Sequence, residues 1–272
     1  MKIQVIISVI LLASLQGCQN EPKNTADQVI PQKSIQSIDF KVKGSFPHDK
    51  TLFTEGLLIH NGQMIESTGS PEDMTKARSL IGIMDLKTGK MDVKVELDRS
   101  KYFGEGIAVL NDKLYQLTYK NREGFIYNAN TFEKLGSFNY KNLEGWGMTT
   151  DGTHLIMSDG TSMLTFLDPE SLQPVKTINV TKYGESQDMI NELEYIKGYI
   201  YANVWLSNYI LKIDPTNGEI VGRLDLGSIF TTERSKNTLG GEMNGIAYDA
   251  KEDKVYITGK LWENIYEIEF AK

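Results

Sequence analysis

The chain has 272 residues, 40% of them apolar and 24% charged, with a formal net charge of −7. That length suits one large domain or two small ones, and the acidic balance argues against an electrostatic grip on nucleic acid. Three His and one Cys argue against a His/Cys zinc site, while thirteen Tyr and 24 Gly favour strands and tight turns over helix bundles.

Residues 1–17 read as a signal peptide: Lys2 leads, and 3–15 are largely apolar. The apolar run is too short for a membrane span. It ends Leu15-Gln16-Gly17-Cys18, which resembles a bacterial lipobox with a less usual Gln16. On that reading Cys18 is the lipidated first residue of the mature chain. The protein is then held at the bacterial cell envelope by a lipid anchor in the membrane. The alternative is an ordinary secretory signal with an incidental Cys, giving a secreted protein. With Cys18 lipidated no Cys is left for a disulfide, so the fold must stand on its core. Residues 18–37 are polar, carry Pro22 and Pro31, and show no period; they read as a flexible tether. The folded domain is expected over 38–272.

Strand signals then follow almost without interruption. Residues 39–46 alternate and break at Pro47. A phrase of acid and glycine recurs: Phe53-Thr54-Glu55-Gly56, Phe103-Gly104-Glu105-Gly106, Leu143-Glu144-Gly145-Trp146, Ile190-Asn191-Glu192-Leu193-Glu194 and Glu242-Met243-Asn244-Gly245. The copies fall about 40–55 residues apart, in the range of one propeller blade. Each leads into an apolar strand, as at 56–60 and 106–110, and then a turn. Asn61-Gly62 is the strongest of these hairpin signals. A second strand carries a second phrase: Ile65-Glu66-Ser67-Thr68-Gly69, Tyr115-Gln116-Leu117-Thr118-Tyr119, Met157-Ser158-Asp159-Gly160, Ala202-Asn203-Val204-Trp205 and Ile257-Thr258-Gly259-Lys260. Third strands are read at 80–86, 124–128, 164–167, 210–213 and 265–268. Fourth strands are read at 92–97, 134–140, 175–180 and 220–226.

The fifth repeat lacks a fourth strand, and 39–46 is left unassigned. Placing 39–46 on the outside of the last blade completes five blades of four strands and covers an open edge. The expected fold is therefore an all-β, five-bladed β-propeller closed by its N-terminal strand. A pair of β-sandwiches is the alternative, but it would not require matching phrases. The insertion at 227–241 should be a loop or short helix over one face.

In a propeller the innermost strands line the axis and the loops entering them ring one mouth. The repeat thus gathers Glu55, Glu105, Glu144, Glu192 or Glu194, and Glu242, with glycines that let backbones approach. Crowded carboxylates must be protonated, paired or metal-bound, and such states suit general acid/base work. The plainer reading, expected for most of the five, is that they cap backbone amides between blades. Phe53, Phe103, Tyr119, Trp146 and Trp205 share the neighbourhood. The two Trp read as binding residues, and Phe53 and Phe103 equally well as inter-blade packing. Lys260 offers a cation that can polarise a carbonyl or pair with a carboxylate. His48, His60 and His154 lie near turns and read as surface residues. No serine elbow, P-loop, dinucleotide fingerprint or HExxH is present.

These phrases, with Glu144-Gly145-Trp146-Gly147, Leu211-Lys212-Ile213-Asp214-Pro215 and Asn244-Gly245-Ile246-Ala247-Tyr248 in the same order, resemble the plant-type glutaminyl-peptide cyclotransferases, which also occur in bacteria. The resemblance runs from about residue 40 to 270. It implies a five-bladed propeller that cyclises an N-terminal glutamine to pyroglutamate with loss of ammonia, in a family unrelated to the animal zinc enzymes of the same activity. It matches Glu105 to the family's proposed acid/base. It matches Trp146, Trp205, Asn191, Phe53, Phe103 and Lys260 to its pocket. Two positions depart: Glu55 stands where Gln is usual, and Tyr119 where Trp is frequent.

The expected catalytic set is Glu105, Lys260 and Asn191, with Phe53, Glu55, Phe103, Tyr119, Trp146 and Trp205 binding substrate. Lys260 or Asn191 would steady an oxyanion, and Glu55 would raise the Glu105 pKa or shift substrate preference. The expected substrates are peptides or proteins beginning with Gln, acted on by a monomer that needs no cofactor. Two other readings stay open: a lipid-tethered, non-enzymatic binding scaffold, and a sugar- or lactone-processing hydrolase around a channel metal. A calcium-like structural cation in the central channel is compatible with all three.

Overall fold

The computed structural model describes residues 35–272. The signal peptide, Cys18 and the tether as far as residue 34 lie outside the described residues. In chain order, β1 (Gln36–Ser37) and β2 (Phe40–Pro47) come first. The first blade is β3 (Thr54–His60), β4 (Gln63–Thr68), β5 (Leu80–Asp85) and β6 (Lys90–Glu96). The second is β7 (Gly104–Leu110), β8 (Lys113–Thr118), β9 (Glu123–Asn128) and β10 (Lys134–Asn139). The third is β11 (Met148–Thr150), β12 (Leu155–Met157), β13 (Met163–Leu167) and β14 (Pro174–Asn179). A small hairpin, β15 (Thr181–Lys182) and β16 (Glu185–Ser186), precedes the fourth: β17 (Ile190–Ile196), β18 (Tyr199–Val204), β19 (Tyr209–Ile213) and β20 (Ile220–Asp225). Helix α1 (Gly227–Lys236) fills the long insertion, and β21 (Met243–Asp249), β22 (Lys254–Gly259) and β23 (Asn264–Phe270) follow.

Each blade is an antiparallel meander whose first strand is innermost. The inner strands touch in the order β3, β7, β11, β17, β21 and back to β3, which closes a ring of five. As the strand count requires, β2 completes the last blade by running antiparallel to β23, from Phe40 opposite Phe270 to Pro47 opposite Asn264. Three short strands were not expected, β1 and the two of the β15–β16 hairpin. β1, whose two residues read as tether, lies parallel to β20 on the outside of the fourth blade. Two residues carry no period, so composition alone assigned them to the linker.

The core is divided among the five seams between blades. Leu58, Ile65, Ile107 and Phe125 fill the seam of blades one and two, and Ala108, Tyr115, Met148 and Leu155 fill the next. Ile156, Leu164, Ile190 and Leu193 fill the third, Tyr201, Leu224, Ile246 and Trp262 the fourth, and Leu57, Met64, Ala247 and Ile265 the last. Successive side chains of a strand point to opposite faces. Leu57 and Leu58, Ile107 and Ala108, and Ile246 and Ala247 therefore each serve two different seams. Being covered on both faces, these strands read as continuous apolar runs rather than alternating ones.

Glycine lets the inner strands abut. A Cβ on Gly106 would lie 2.5 Å from Met148 N and 2.6 Å from Trp146 O, across the seam to blade three. Gly147 meets Asn191 O at 2.2 Å across the next seam. By contrast, a Cβ on Gly136, on an outer strand, meets nothing within 4 Å. Gly106→Ala should destabilise the fold by about 2 kcal/mol or more by overpacking, while Gly136→Ala should stay within about 0.5 kcal/mol of the parent. Urea unfolding of both variants measures this. Equal midpoints would mean the seam at Gly106 yields easily.

Candidate active site

Four of the five inner strands carry one extra residue at the same end. β3 shifts register between Thr54 and Gly56, β7 between Gly104 and Ile107, β17 between Ile190 and Leu193, and β21 between Met243 and Ile246. A bulge of this kind takes residues off the ladder and re-aims their side chains. The residues it releases are Glu55, Glu105, Asn191 and Asn244. The hairpins stay joined beyond the bulges, since Gly69 N donates to Phe53 O at 2.8 Å and Tyr119 N to Phe103 O at 3.0 Å. Both recurring phrases thus end at one mouth.

There they line a cavity of about 440 Å³. Every residue expected in the site from sequence borders it: Glu105, Lys260, Asn191, Phe53, Glu55, Phe103, Tyr119, Trp146 and Trp205. The charged and carboxamide groups form a buried floor and the aromatic rings half-buried walls. Phe103 packs against Phe53 on one side and Tyr119 on the other, at 6.2 and 5.8 Å between centroids. Trp146 and Trp205 meet edge to face at 5.7 Å. Glycines of the second phrases make room for two walls. A Cβ on Gly69 would lie 2.2 Å from the Phe103 ring, and one on Gly160 2.6 Å from the Trp146 indole. Trp146 is further steadied by its indole N–H, which donates to Glu144 at 2.9 Å.

On the floor Lys260 Nζ lies 2.9 Å from Glu55 Oε1 and 4.6 Å over the Phe53 ring. Asn244 Nδ2 donates to Glu55 Oε2 at 2.8 Å, so both oxygens of Glu55 are held. The Glu105 carboxyl receives no hydrogen bond from the described residues. Burial pushes Glu105 well above the ordinary carboxylate range, and the neighbouring Glu55 pushes it further, against the pull of Lys260. Burial also raises Glu55, to about 7, with Lys260 and Asn244 pulling the other way. For Lys260 burial alone would lower the pKa, but Glu55 and Glu105 outweigh it and hold the ammonium above its usual value. One cation thus serves two carboxyls. Glu55 takes the ammonium by contact, and Glu105 is biased toward its protonated form. The Asn191 Oδ1 atom is buried with no partner, which leaves an acceptor for a donor entering the cavity.

Of the other repeated acids in the described residues, Glu192 and Glu194 cap backbone amides between blades, whereas Glu144 holds an indole N–H instead. Glu192 accepts the amides of Leu57 and Ile246, on blades one and five, at 3.3 and 2.9 Å. Glu194 accepts Tyr248 N at 2.9 Å. Glu242 borders the cavity. Sequence reasoning missed Pro71, Asp73 and Met74, which reach the cavity from the β4–β5 connection, because that loop belongs to no repeat.

It also misread His48. That imidazole is buried, 2.9 Å from Trp262 O and 3.0 Å from Glu66 Oε2, and Thr54 Oγ1 donates to Glu66 at 2.7 Å. A turn position suggested exposure, but the turn folds beneath the floor between the residues flanking Glu55 and Lys260. Burial lowers the His48 pKa, yet Glu66 overrides it and the net shift is upward. Among the described residues no group of three or more His, Cys, Asp and Glu is arranged to hold a metal ion.

Comparison with known proteins bears on what this cavity does. The sequence model of the glutamine cyclotransferase family matches residues 9–270. A glutaminyl-peptide cyclotransferase of Arabidopsis thaliana is 35% identical over 240 residues, covering 86% of this chain and 72% of the plant protein. The crystal structure of Myxococcus xanthus glutaminyl cyclase superposes with a TM-score of 0.80 at 30% identity, covering 87% of this chain and 98% of that one.

The buried acids also set the pH dependence of folding. Glu55, Glu105, Glu192 and Glu194, the last raised to about 8 by burial, all bind protons more tightly folded than unfolded. Stability should therefore fall as pH rises from about 5 to about 8. His48 adds the same sign, because a raised imidazole stabilises only while protonated. Melting temperatures across that interval should decline, and Glu194→Gln should flatten the slope. A melting temperature that climbs with pH would mean these acids are ionised in the fold.

Proposed function

The chain belongs to the glutamine cyclotransferase family, and from that premise we propose that it converts the N-terminal glutamine of peptides and proteins to pyroglutamate, with Glu105 as the proton carrier. The single observation that carries this is a buried carboxyl without a hydrogen-bond partner among the described residues, facing an aromatic-walled cavity beside an occupied Glu55–Lys260 pair.

The α-amine must attack its own γ-carboxamide carbon, so the substrate side chain has to fold back on itself. Aromatic walls hold that bend and exclude water, and intramolecular attack gains from proximity. A protonated Glu105 offers a donor and an acceptor at once. One oxygen accepts the proton lost by the attacking nitrogen as the new C–N bond forms. The other gives its proton to the departing nitrogen as the old C–N bond breaks. Ammonia and the lactam leave, and Glu105 ends protonated as it began. Lys260 steadies the oxygen of the tetrahedral intermediate from the floor. Asn191, with its open Oδ1, takes an N–H of the substrate. Every step is proton transfer or addition–elimination, so the chemistry calls for no redox or nucleotide cofactor. A scaffold without chemistry would gain nothing from burying Glu105 unpaired, which favours the enzyme reading.

Cellular placement rests on the N-terminal residues. We infer a lipid anchor at Cys18 and a place at the cell envelope, from the lipobox-like Leu15-Gln16-Gly17-Cys18 and the polar stretch after it.

Glu105→Gln should fold normally and lose about 10²- to 10⁴-fold in kcat on a Gln-initiated peptide, measured by ammonia release. Near-parental turnover would refute the assignment. Glu55→Gln should move the alkaline limb of the kcat profile to lower pH, because the charge that raises Glu105 is gone; an unmoved limb would uncouple the two groups. Cys18→Ala should shift the protein from the membrane to the soluble fraction, and an unchanged distribution would remove the anchor.

A further inference from the structure

A second groove of about 450 Å³ opens beside the reaction cavity and shares three walls with it: Pro71, Phe103 and Tyr119. The two hollows carry opposite charge. The cavity is bordered by Glu55, Asp73, Glu105 and Glu242 against one cation, Lys260. The groove is bordered by Arg99, Lys101 and Lys120 against one acid, Glu72. In a chain of formal charge −7, this basic strip beside an acidic hollow is a local reversal.

The three cations have different tasks. Arg99 donates to the carbonyl oxygens of Pro71, Thr75 and Ala77 at 2.7–2.9 Å, holding the loop that forms the shared wall. Lys101 and Lys120 are 68% and 65% exposed, and each stands 3.8 Å from its nearest carboxylate, Asp98 or Glu144. Ion pairs so long and so exposed are weak, and both ammonium groups stay free to exchange partners. Lys120 Nζ also lies 4.4 Å over the ring of Tyr119, the wall common to both hollows.

We propose that this groove receives the residues following the N-terminal glutamine, and that Lys101 and Lys120 make the enzyme prefer peptides with acidic side chains there. This rests on the cyclase reading. A peptide whose first residue is folded into the cavity must leave past a wall, and the wall at Phe103 and Tyr119 opens directly onto the groove. The substrate then lies along the charge gradient, its amino end in the cavity bordered by Asp73 and Glu242 and its acidic side chains against the lysines. Such rim charges act on encounter and on selection among partners.

The test compares two amidated pentapeptides, each beginning with Gln and carrying either Asp or Lys at the second and third positions. A version that begins with Gln and carries Ala at those two positions serves as the reference. At low salt the parent enzyme should favour the Asp peptide in kcat/KM by roughly three- to tenfold over the Lys peptide, and salt at about 0.5 M should narrow the gap. The double charge reversal Lys101→Glu and Lys120→Glu should reverse the ratio of the two values, a readout that partial loss of folded enzyme does not move. Equal rates for the two peptides in the parent, or an unchanged ratio in the double variant, would overturn the groove assignment while leaving the cyclase reading intact. Failure to turn over even the alanine peptide would overturn the cyclase reading and the groove with it.

Discussion

A strand from one end of the domain pairs with a strand from the other, and everything else depends on that seam. β2 completes the last blade on β23, and the inner strands β3 and β21, far apart in the chain, pack together at the same closure. Closure also removes the free edge that β23 would otherwise expose. Convergence brings the five seams into register, and each seam then buries apolar residues from two blades. The active-site floor inherits its rigidity from that packing. Glu55 and Asn244, joined by a 2.8 Å hydrogen bond, come from the first and last blades. Lys260 leaves the end of β22 to meet Glu55 across the same closure.

Within this frame the chemistry follows from scarcity of charge. Glu55, Glu105 and Lys260 occupy one dry hollow with one positive charge for two carboxyls. Ionising both would leave an uncompensated buried anion, which is costly. Of the two carboxyls, Glu55 is the one that takes the lysine. Glu105 is thereby biased toward its neutral form, the one from which the proposed proton transfers start. The aromatic walls contribute by shape and dryness rather than by charge.

Much of this was legible in the residues because repetition is a strong signal. A phrase that recurs five times fixes blade number, and the missing fourth strand pointed directly to 39–46. The same repetition placed all nine proposed site residues at one mouth. What stayed hidden has no signature in residue type or spacing. The β4–β5 connection that supplies Pro71, Asp73 and Met74 has no counterpart in other blades, so no spacing argument reaches it. The bulges at Glu55, Glu105, Asn191 and Asn244 cannot be told from regular strand by composition. His48 was misread because a turn beside Pro47 looks like surface, whereas its imidazole is paired with Glu66 beneath the floor. β1 escaped because two residues have no periodicity to detect.

The seam between β2 and β23 has one more consequence. Phe40 and Phe270 sit opposite each other, so the domain is topologically a loop with a nick in it. Five near-equivalent interfaces leave no privileged starting blade, and any outer turn is as good a place for the nick as the natural one. Position along the chain is thus decoupled from position around the axis. A lineage of such rings can shuffle its opening point, or host a foreign segment there, while Glu105 keeps the same neighbours.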